Sequence, residues 1–283
     1  MSDTPTLDGM TATTRLDNGV EMPWLGLGTW QSAEGDEVEA SVRSALEIGY
    51  RHIDTAAVYR NETGVGRAIR DSGVPREDIF ITTKVWNDAQ REGPAAVRQA
   101  FEDSLSRLGL DALDLYLVHW PVKDHWMDTW RVLEELHEEG RCRAIGVSNF
   151  LVHHLESLLA DCRVRPMVNQ VEFHPWCIQP ELLAFCQEHR IQHEAWSPLM
   201  QGRFTEIDAL AEIADRQERT AAQVLLRWCL QKGSVTIPKS VRPERIRENA
   251  ALFDFSLSEG EMATIDALDG GRRIGPHPDE IDF

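Results

Sequence analysis

Four residues of contrasting chemistry stand at or just after the ends of three consecutive predicted strands. Asp54, Lys84 and His119 each end a short apolar segment, and Tyr59 lies in the loop after the first of these. A phenol has a pKa near 10, and a neighbouring ammonium lowers it, while a carboxylate paired with the ammonium holds it in place. An imidazole can hydrogen-bond a substrate oxygen. The set predicts proton donation to a carbonyl oxygen, and it lacks the nucleophile beside a base that acyl transfer requires.

Polar and aromatic side chains on later predicted strands could hold the hydride donor that such a reduction needs. Ser148, Asn149 and Gln170 stand at the ends of the fifth and sixth strands and fit a carboxamide group. Trp196 ends the seventh strand and offers a flat aromatic face for a planar ring. Together these residues indicate a binding site for a ring that carries a carboxamide.

The segment after the eighth predicted strand has the pattern of an anion site. Pro243 fits the first turn of a helix, so Lys239, Ser240 and Arg245 would cluster about that helix N-terminus. Backbone N–H groups at a helix N-terminus bind phosphate, and barrels of parallel strands often place a phosphate there. A phosphate-bearing ligand is therefore expected.

Each of these residues also has an ordinary structural explanation when it is taken alone. A strand-end aspartate can cap a helix, a strand-end lysine can be solvated, and a rim histidine or a tyrosine can simply pack. The hypothesis of a reaction centre depends on the carboxylate, phenol, ammonium and imidazole occurring together, because the four groups complete one known reaction chemistry.

The elements that must position these residues alternate regularly along the chain. A hairpin with the turn Asp17-Asn18-Gly19 comes first, and eight short strands then alternate with amphipathic helices. This alternation fits an α/β fold of the (β/α)8 TIM-barrel type, whose active sites lie at the carboxyl ends of the strands. The predicted strands are Leu25–Gly28, His52–Asp54, Ile79–Lys84, Leu113–His119, Ala144–Ser148, Met167–Val171, Gln192–Trp196 and Val235–Pro238. The clearest predicted helices are Glu37–Ile48, Pro94–Leu108, Met127–Glu139, Glu181–His189 and Thr205–Gln217.

A doubly wound open sheet is the competing architecture, and its glycine fingerprint is missing. Gly26-Leu27-Gly28 fails because Gln31 occupies the place of the third glycine. Gly64-Val65-Gly66 is not directly preceded by a strand. The barrel is favoured, as a single domain over residues 1–283 with an irregular tail at Gly270–Phe283, because no linker or low-complexity tract divides the chain.

Composition excludes several classes of partner. The 283 residues carry 29 Lys and Arg against 47 Asp and Glu, a net charge of −18, so nucleic acid and anionic membranes would be repelled. No apolar run approaches the roughly 20 residues of a membrane span, and the first residues lack the pattern of a secretory signal. The five scattered cysteines contain no Cys-x-x-Cys pair. We expect a cytoplasmic monomer that acts on a small molecule.

Histidine spacing does not predict a metal site. His189 and His193 straddle a predicted helix end and a strand start, so one helical face cannot present both. His153 and His154 begin an ordinary helix and fit a solvated face. No metal ligand is therefore expected.

Three long motifs carry a resemblance to a known family. They are GYRHIDTA at residues 49–56, DLYLVHWP at 114–121 and IPKS at 237–240, in this order along the chain. The chain resembles the aldo-keto reductases from Leu16 to Phe283. Within that family, the tail GPHPDE at 275–280 is most similar to bacterial 2,5-diketo-D-gluconate reductases.

The resemblance implies a catalytic set, a cofactor and a substrate pocket. Tyr59 would be the general acid, assisted by Lys84 paired with Asp54, while His119 orients the carbonyl of the substrate. NADPH would lie extended across the barrel mouth. The implied cofactor residues are Thr29, Asp54, Ser148, Asn149, Gln170, Trp196, Ser197, Leu199, Lys239, Ser240, Val241, Arg245, Glu248 and Asn249. The implied substrate residues are Trp30, Trp86, His119 and Trp120.

Two departures from the family pattern concern the cofactor site and the pocket mouth. Trp196 stands where many relatives carry Tyr, and stacking survives that change. The chain reaches the next helix soon after Leu199, where some relatives have a long loop that clamps the cofactor, so a more open pocket is expected.

The leading hypothesis is an NADPH-dependent reductase of small aldehydes, ketones or keto sugar acids. Arg272 and Arg273 in the tail could pair with the carboxylate of a keto acid. The alternatives are a non-enzymatic NADPH-binding redox-sensing subunit of the same fold and a phosphate-binding barrel isomerase. The isomerase would use Lys239 and Arg245 but leave Trp196 and Gln170 without a role.

Overall fold

The structure, a computed structural model, describes residues 7–283. The prediction that no secretory signal is present concerns in part residues 1–6, which lie outside the described residues. The strands are β1 Thr13–Arg15, β2 Glu21–Pro23, β3 Leu27–Gly28, β4 His52–Asp54, β5 Phe80–Val85, β6 Leu113–Val118, β7 Cys142–Ser148, β8 Val168–Glu172, β9 Gln192–Trp196 and β10 Val235–Thr236. The helices are α1 Asp36–Ile48, α2 Glu62–Asp71, α3 Asn87–Glu92, α4 Pro94–Leu108, α5 Trp126–Glu138, α6 Val152–Asp161, α7 Pro180–Glu188, α8 Asp208–Gln217, α9 Ala221–Gln231, α10 Pro243–Ala250 and α11 Glu259–Asp266.

Eight parallel strands, β3 to β10, pair with their neighbours in chain order. The sheet closes on itself beside β3, where Gly26 N–H donates to the Thr236 carbonyl at 2.9 Å and Thr236 N–H donates to the Trp24 carbonyl at 3.0 Å. Closure of a parallel sheet with helices between the strands defines a (β/α)8 barrel. The predicted barrel is confirmed, and the doubly wound alternative is wrong.

The N-terminal hairpin covers the end of the barrel opposite the functional rim. β1 and β2 pair antiparallel, and Gly19 takes a φ of 87° in the turn. Thr14 Oγ1 donates to Gln192 Oε1 at 2.8 Å, and Asn18 Nδ2 donates to the Arg143 carbonyl at 2.8 Å. These partners stand near the first residues of β9 and β7. The hairpin therefore leaves the carboxyl ends of the strands open.

Helix α4 shows how the sequence sets an element and its ends. Pro94 occupies the first turn, where its missing N–H leaves no bond unmade, and Gly109 ends the helix with a φ of 68°. Its buried face includes Val97, Phe101 and Leu105. Among the described residues, no helix is both long and apolar enough to cross a lipid bilayer.

The one marked difference from the predicted elements follows β9. A helix was predicted from Thr205, whereas α8 begins at Asp208 and a 3-10 segment spans Met200–Glu206. Gln201 and Gly202 have φ values of 53° and 90°, which a continuous α-helix cannot contain. The residues after β9 thus form a compact turn at the rim.

The glycines that resembled a nucleotide fingerprint are packing positions. A Cβ atom on Gly64 would lie 2.5 Å from Val38 Cγ1, and one on Gly66 would lie 2.2 Å from the Leu108 carbonyl oxygen. Both glycines belong to α2, which packs against α1 and α4. Their small size lets these helices approach closely, which accounts for both glycines without a nucleotide.

We expect Gly66→Ala to destabilise the barrel by about 1–3 kcal/mol, because the added methyl group meets backbone atoms of α4 that cannot rotate away. Gly260→Ala in α11 is the matched control, since a Cβ atom there meets nothing within 4 Å. The control should be neutral or stabilising by up to about 1 kcal/mol. Urea unfolding of both variants checks this expectation, and equal stabilities would contradict it.

Candidate active site

The parallel sheet brings the four predicted catalytic residues to one rim. Asp54 is the last residue of β4, Lys84 is the penultimate residue of β5, and His119 directly follows β6. Tyr59 ends a 3-10 turn, Ala57–Tyr59, that follows β4. These strands are consecutive neighbours in the barrel, so their side chains converge without any long loop.

The centre of the site is a buried ion pair. Lys84 Nζ donates to Asp54 Oδ1 at 2.7 Å, to Asp54 Oδ2 at 2.8 Å and to the Thr55 carbonyl at 2.8 Å. Three acceptors match the three N–H groups of the ammonium. Burial disfavours the charge on Lys84, but neighbours led by Asp54 outweigh it, and the pKa of Lys84 lies above its ordinary value. The ammonium is therefore held charged and in place.

Tyr59 lies beside this ion pair and stays protonated. Its ring centroid is 5.1 Å from Lys84 Nζ. Burial raises the pKa of Tyr59, and the opposing effect of Lys84 is too small to reverse it. The sequence predicted that the ammonium would lower this pKa below that of a free phenol. In the structure the ammonium only limits the rise, because desolvation is larger, and the phenol keeps the proton that a reduction requires.

His119 faces the same space as a neutral imidazole. Its ring centroid lies 5.8 Å from that of Tyr59 and 5.1 Å from that of Trp86. Burial, assisted by the Lys84 ammonium, holds the pKa of His119 well below its usual range. A neutral imidazole carries one N–H and can donate it to a substrate oxygen without bringing a second positive charge beside Lys84.

Gln170 links Asp54 to a second buried acid, Glu194. Gln170 Nε2 donates to Asp54 Oδ2 at 2.8 Å and to Glu194 Oε2 at 2.9 Å. Burial and the nearby Asp54 raise the pKa of Glu194 to about 8. Both N–H groups of the Gln170 amide are thus bonded inside the barrel, and its oxygen is left to accept from a ligand. Glu194 was not among the predicted site residues, although a charged residue within a buried strand was visible in the sequence.

Ser148, Asn149 and Trp196 form a hydrogen-bonded group next to Gln170. Trp196 Nε1 donates to Asn149 Oδ1 at 2.8 Å, and Asn149 Nδ2 donates to the His119 carbonyl at 2.9 Å. Ser148 Oγ donates to the Gln170 carbonyl at 2.8 Å. These bonds fix the tryptophan ring and orient the polar side chains that were predicted to hold a carboxamide.

A cavity of about 1080 Å³ joins the catalytic residues to the start of α10. Most of the predicted site residues line it, but Thr29, Val241 and Lys84 do not; Thr29 is buried, with Oγ1 donating to the Asp54 carbonyl at 3.0 Å. Lining residues that the sequence did not predict stand in loops and in the tail. They include Gln31, Val58, Gln201, Phe204, Thr205, Ile274 and Phe283.

The α10 end of the cavity is cationic within an acidic molecule. Residues 239–249 contain four basic and two acidic side chains, a local charge of +2. Lys239 and Arg245 line the cavity, and Lys239 Nζ donates to the Gln31 carbonyl at 3.1 Å across the mouth. Glu248, also lining, accepts from Thr220 Oγ1 at 2.6 Å. The residues of the predicted anion site, Lys239, Ser240 and Arg245, thus lie together at one end of the cavity.

Aromatic rings form the other end. Trp86 and Phe283 stack with centroids 5.8 Å apart and an interplanar angle of 10°, and Trp120 meets Phe283 edge to face at 5.6 Å. Asn87 Nδ2 and Arg91 Nη2 donate to the Phe283 carbonyl at 3.1 and 2.6 Å. The sequence predicted an aromatic-lined pocket formed by three tryptophans and the tail, and the tail contributes Phe283 to this wall.

The tail is fastened to the barrel by Glu172, the last residue of β8. Glu172 Oε1 accepts from the N–H groups of Ile274 and Gly275 and from His174 Nε2 at 2.9 Å. Burial alone would raise the pKa of Glu172, but these hydrogen bonds outweigh it and hold the pKa below its usual range. Only a glycine fits at position 275, because a Cβ atom there would lie 2.5 Å from the Trp196 ring.

The tail arginines are engaged away from the cavity. Arg272 lies over the ring of Trp176, 4.2 Å from its centroid, and Arg273 Nη2 donates to Gln179 Oε1 at 2.5 Å. Neither lines the cavity. The pairing of these arginines with a substrate carboxylate therefore finds no support in the geometry.

Comparisons with known proteins agree with this fold and site. The family model described as "Aldo/keto reductase family" matches residues 24–270. Glyoxal reductase of Bacillus subtilis is 57% identical over 271 residues, covering 96% of this chain and 98% of the relative. Methylglyoxal reductase of Salmonella typhimurium is 48% identical over 271 residues, covering 94% and 97%. The crystal structure of a Bombyx mori aldo-keto reductase in complex with NADP has a TM-score of 0.88 at 35% identity, covering 94% of this chain and 95% of that one.

The chain belongs to the aldo/keto reductase family, and it is an NADP-dependent oxidoreductase. The finer resemblance to 2,5-diketo-D-gluconate reductases is not supported by these relatives, whose names refer to glyoxal and methylglyoxal.

We expect Glu194→Gln to change how stability depends on pH. The folded-state pKa of Glu194 is about 8 and its ordinary value is 4.5, so between these values the native state binds a proton that the unfolded state has lost. Stability from this group is therefore present at low pH and declines as pH rises toward 8. Glutamine mimics the neutral acid and cannot ionise. The stability difference, wild type minus variant, should fall by up to about 1.4 kcal/mol per pH unit.

Urea unfolding at about pH 5, 6.5 and 8 measures that difference. Glu212→Gln, at an exposed position of α8, is the control and should follow the wild type. Parallel stability profiles for wild type and Glu194→Gln would show that Glu194 does not hold this proton.

Proposed function

We propose that this protein reduces small uncharged carbonyl compounds with NADPH, and that 1,2-dicarbonyls such as glyoxal and methylglyoxal are its substrate class. One observation carries the proposal. A protonated phenol, Tyr59, and a neutral imidazole, His119, border an aromatic cavity directly above a buried ammonium, Lys84. This arrangement can give a proton and a hydrogen bond to one oxygen atom.

The residues present fit the cofactor. The cavity offers cations and a hydroxyl at the end that would take a phosphate, and amide groups and a fixed indole at the end that would take a nicotinamide. Lys239, Ser240 and Arg245 would hold the 2′-phosphate, while the oxygen of Gln170 would accept from the carboxamide. When bound, NADPH supplies the hydride.

Protein groups supply the rest of the chemistry. Tyr59 Oη gives its proton to the carbonyl oxygen, and the Lys84 ammonium stabilises the phenolate that remains. His119 donates its N–H to the same oxygen and fixes the direction of the carbonyl group. Asp54 keeps the ammonium charged throughout, so that the phenolate is reprotonated from solvent beside an unchanged cation.

The charges along the cavity favour an uncharged substrate over a keto sugar acid. Among the described residues, Lys239 and Arg245 are the lysine and arginine side chains that line the cavity, and both stand at the α10 end. At the other end, Trp86, Trp120 and Phe283 present aromatic surface. A substrate carboxylate would meet no lysine or arginine lining that end in the described residues, and Lys84 is already paired with Asp54, so the desolvation of the carboxylate would not be compensated.

A substrate panel tests the proposal. With NADPH, kcat/KM for glyoxal and methylglyoxal should exceed that for 2,5-diketo-D-gluconate. Tyr59→Phe should reduce kcat by about 10²–10⁴-fold while NADPH binding, followed by fluorescence titration, stays unchanged. A preference for the keto acid would overturn the substrate class. Absence of NADPH oxidation with every carbonyl would instead favour the regulatory subunit, and near wild-type kcat in Tyr59→Phe would remove Tyr59 from the mechanism.

Arg245→Ala should raise KM for NADPH by about 10–100-fold and leave KM for NADH nearly unchanged, because a charge-assisted contact to the extra phosphate is lost. Arg247→Ala, on the same helix but outside the cavity lining, is the matched control. Steady-state kinetics with both cofactors measures the ratio. Equal effects on the two cofactors would show that Arg245 does not contact the 2′-phosphate.

A further inference from the structure

A cluster of metal-ligating side chains lies outside the cavity, between α6 and the tail. His153 Nε2 is 3.1 Å from Asp279 Oδ1, and His154 Nε2 is 3.3 Å from the same oxygen. One ligand atom from each of these three residues can be chosen so that all lie within 4.8 Å of one another. Asp279 is 126 residues from His153 along the chain, so spacing in the sequence could not reveal the cluster.

We propose that His153, His154 and Asp279 form a binding site for a divalent transition-metal ion of the Zn²⁺ type. Two imidazole nitrogens and a carboxylate oxygen are ligands that this ion prefers, and water would complete a tetrahedron. Ligand atoms bound at about 2.0–2.1 Å to a tetrahedral ion lie about 3.3 Å apart. Both nitrogen–oxygen separations, 3.1 and 3.3 Å, are close to that spacing, and one nitrogen atom of each histidine ring lies within 4.8 Å of the other.

The surroundings fix the ring of His154, and the more exposed His153 ring lies against it. Consecutive residues of an α-helix point about 100° apart, yet the His153 and His154 rings lie 4.0 Å apart and both face one carboxylate oxygen. His154 packs against Phe150 at 5.6 Å, and only 13% of its side chain is exposed. A fixed ring loses little freedom when it binds an ion.

The position of the proton on the His154 ring determines what must change when a metal ion binds. Leu151 N–H donates to His154 Nδ1 at 3.2 Å, so neutral His154 carries its proton on Nε2 and donates it to Asp279. When a metal ion binds Nε2, the proton of the neutral imidazole moves to Nδ1, so the Leu151 N–H loses this acceptor. The Nε2 atom of His153 also faces Asp279. His277 Nδ1 accepts from the Asp279 N–H at 3.3 Å and so holds the carboxylate-bearing residue in place.

Such a site would fasten the tail where it meets α6. Ile274, Gly275 and Pro276 line the cavity a few residues before Asp279, and Glu172 anchors the first two of them. Asn87 and Arg91 hold Phe283 at the far end of the tail. The metal ion would add an anchor at Asp279, between these contacts and those of Glu172.

Calorimetric titration of tag-free, full-length protein with Zn²⁺ tests the site. Wild type and His125→Ala, which removes a histidine outside the cluster, should each bind one ion with a Kd in or below the micromolar range. His153→Ala and Asp279→Asn should bind at least about tenfold more weakly, with NADPH binding unchanged as a check of folding. Equal Kd values in all four proteins, or no binding to wild type up to about 1 mM Zn²⁺, would overturn the proposal.

A Co²⁺ titration separates this site from the partly exposed thiol of Cys162 at the end of α6. We expect the visible absorption of a nitrogen- and oxygen-ligated tetrahedral Co²⁺ ion, lost in His153→Ala and retained in Cys162→Ser. A thiolate charge-transfer band that disappears in Cys162→Ser would assign the bound ion to the cysteine and exclude the proposed ligands.

Discussion

The ion pair between Lys84 and Asp54 is the interaction on which the rest of the site depends. Two charges inside a barrel cost several kcal/mol each unless hydrogen bonds replace their lost hydration. Here the three N–H groups of the ammonium each find an acceptor, two on Asp54 and one on the Thr55 carbonyl. Removal of either partner would leave the other as an uncompensated buried charge. The two partners can stay paired because they stand on the consecutive parallel strands β4 and β5, whose carboxyl ends lie side by side.

The same pair determines the protonation of its neighbours. Asp54 and Glu194 share the amide of Gln170, and one ammonium cannot compensate two buried carboxylates, so Glu194 keeps a proton. His52, 3.7 Å from Glu194 and close to Lys84, stays neutral because burial and the ammonium lower its pKa to about 3. His119 stays neutral for the same two reasons. Around the compensated pair of Lys84 and Asp54, the groups Glu194, His52 and His119 are thus all neutral and hydrogen-bonding.

Sequence patterns predicted the positions of those site residues that depend on where the strands end. Asp54, Lys84 and His119 were placed correctly because strand ends share one rim in a parallel barrel. Positions set by contacts between distant segments could not be predicted in this way: Glu172 holds a tail more than 100 residues away, and Phe283 completes the aromatic wall. The balance between desolvation and Coulomb attraction was also inaccessible, because it depends on burial that only the assembled barrel defines.

The global charge of −18 and the local charges of the cavity act on different ligands and over different distances. The acidic surface opposes polyanions at long range, whereas the proposed phosphate contact of residues 239–249, with their local charge of +2, would act over a few ångströms. Within residues 7–283, no lysine or arginine lines the aromatic end of the cavity. In the proposed reaction, negative charge that develops on a carbonyl oxygen there would be met by a proton from Tyr59, and the compensating cation, Lys84, lies beside the phenol. A carboxylate on the substrate would gain nothing from this arrangement, whereas a neutral carbonyl would use both the proton and the cation.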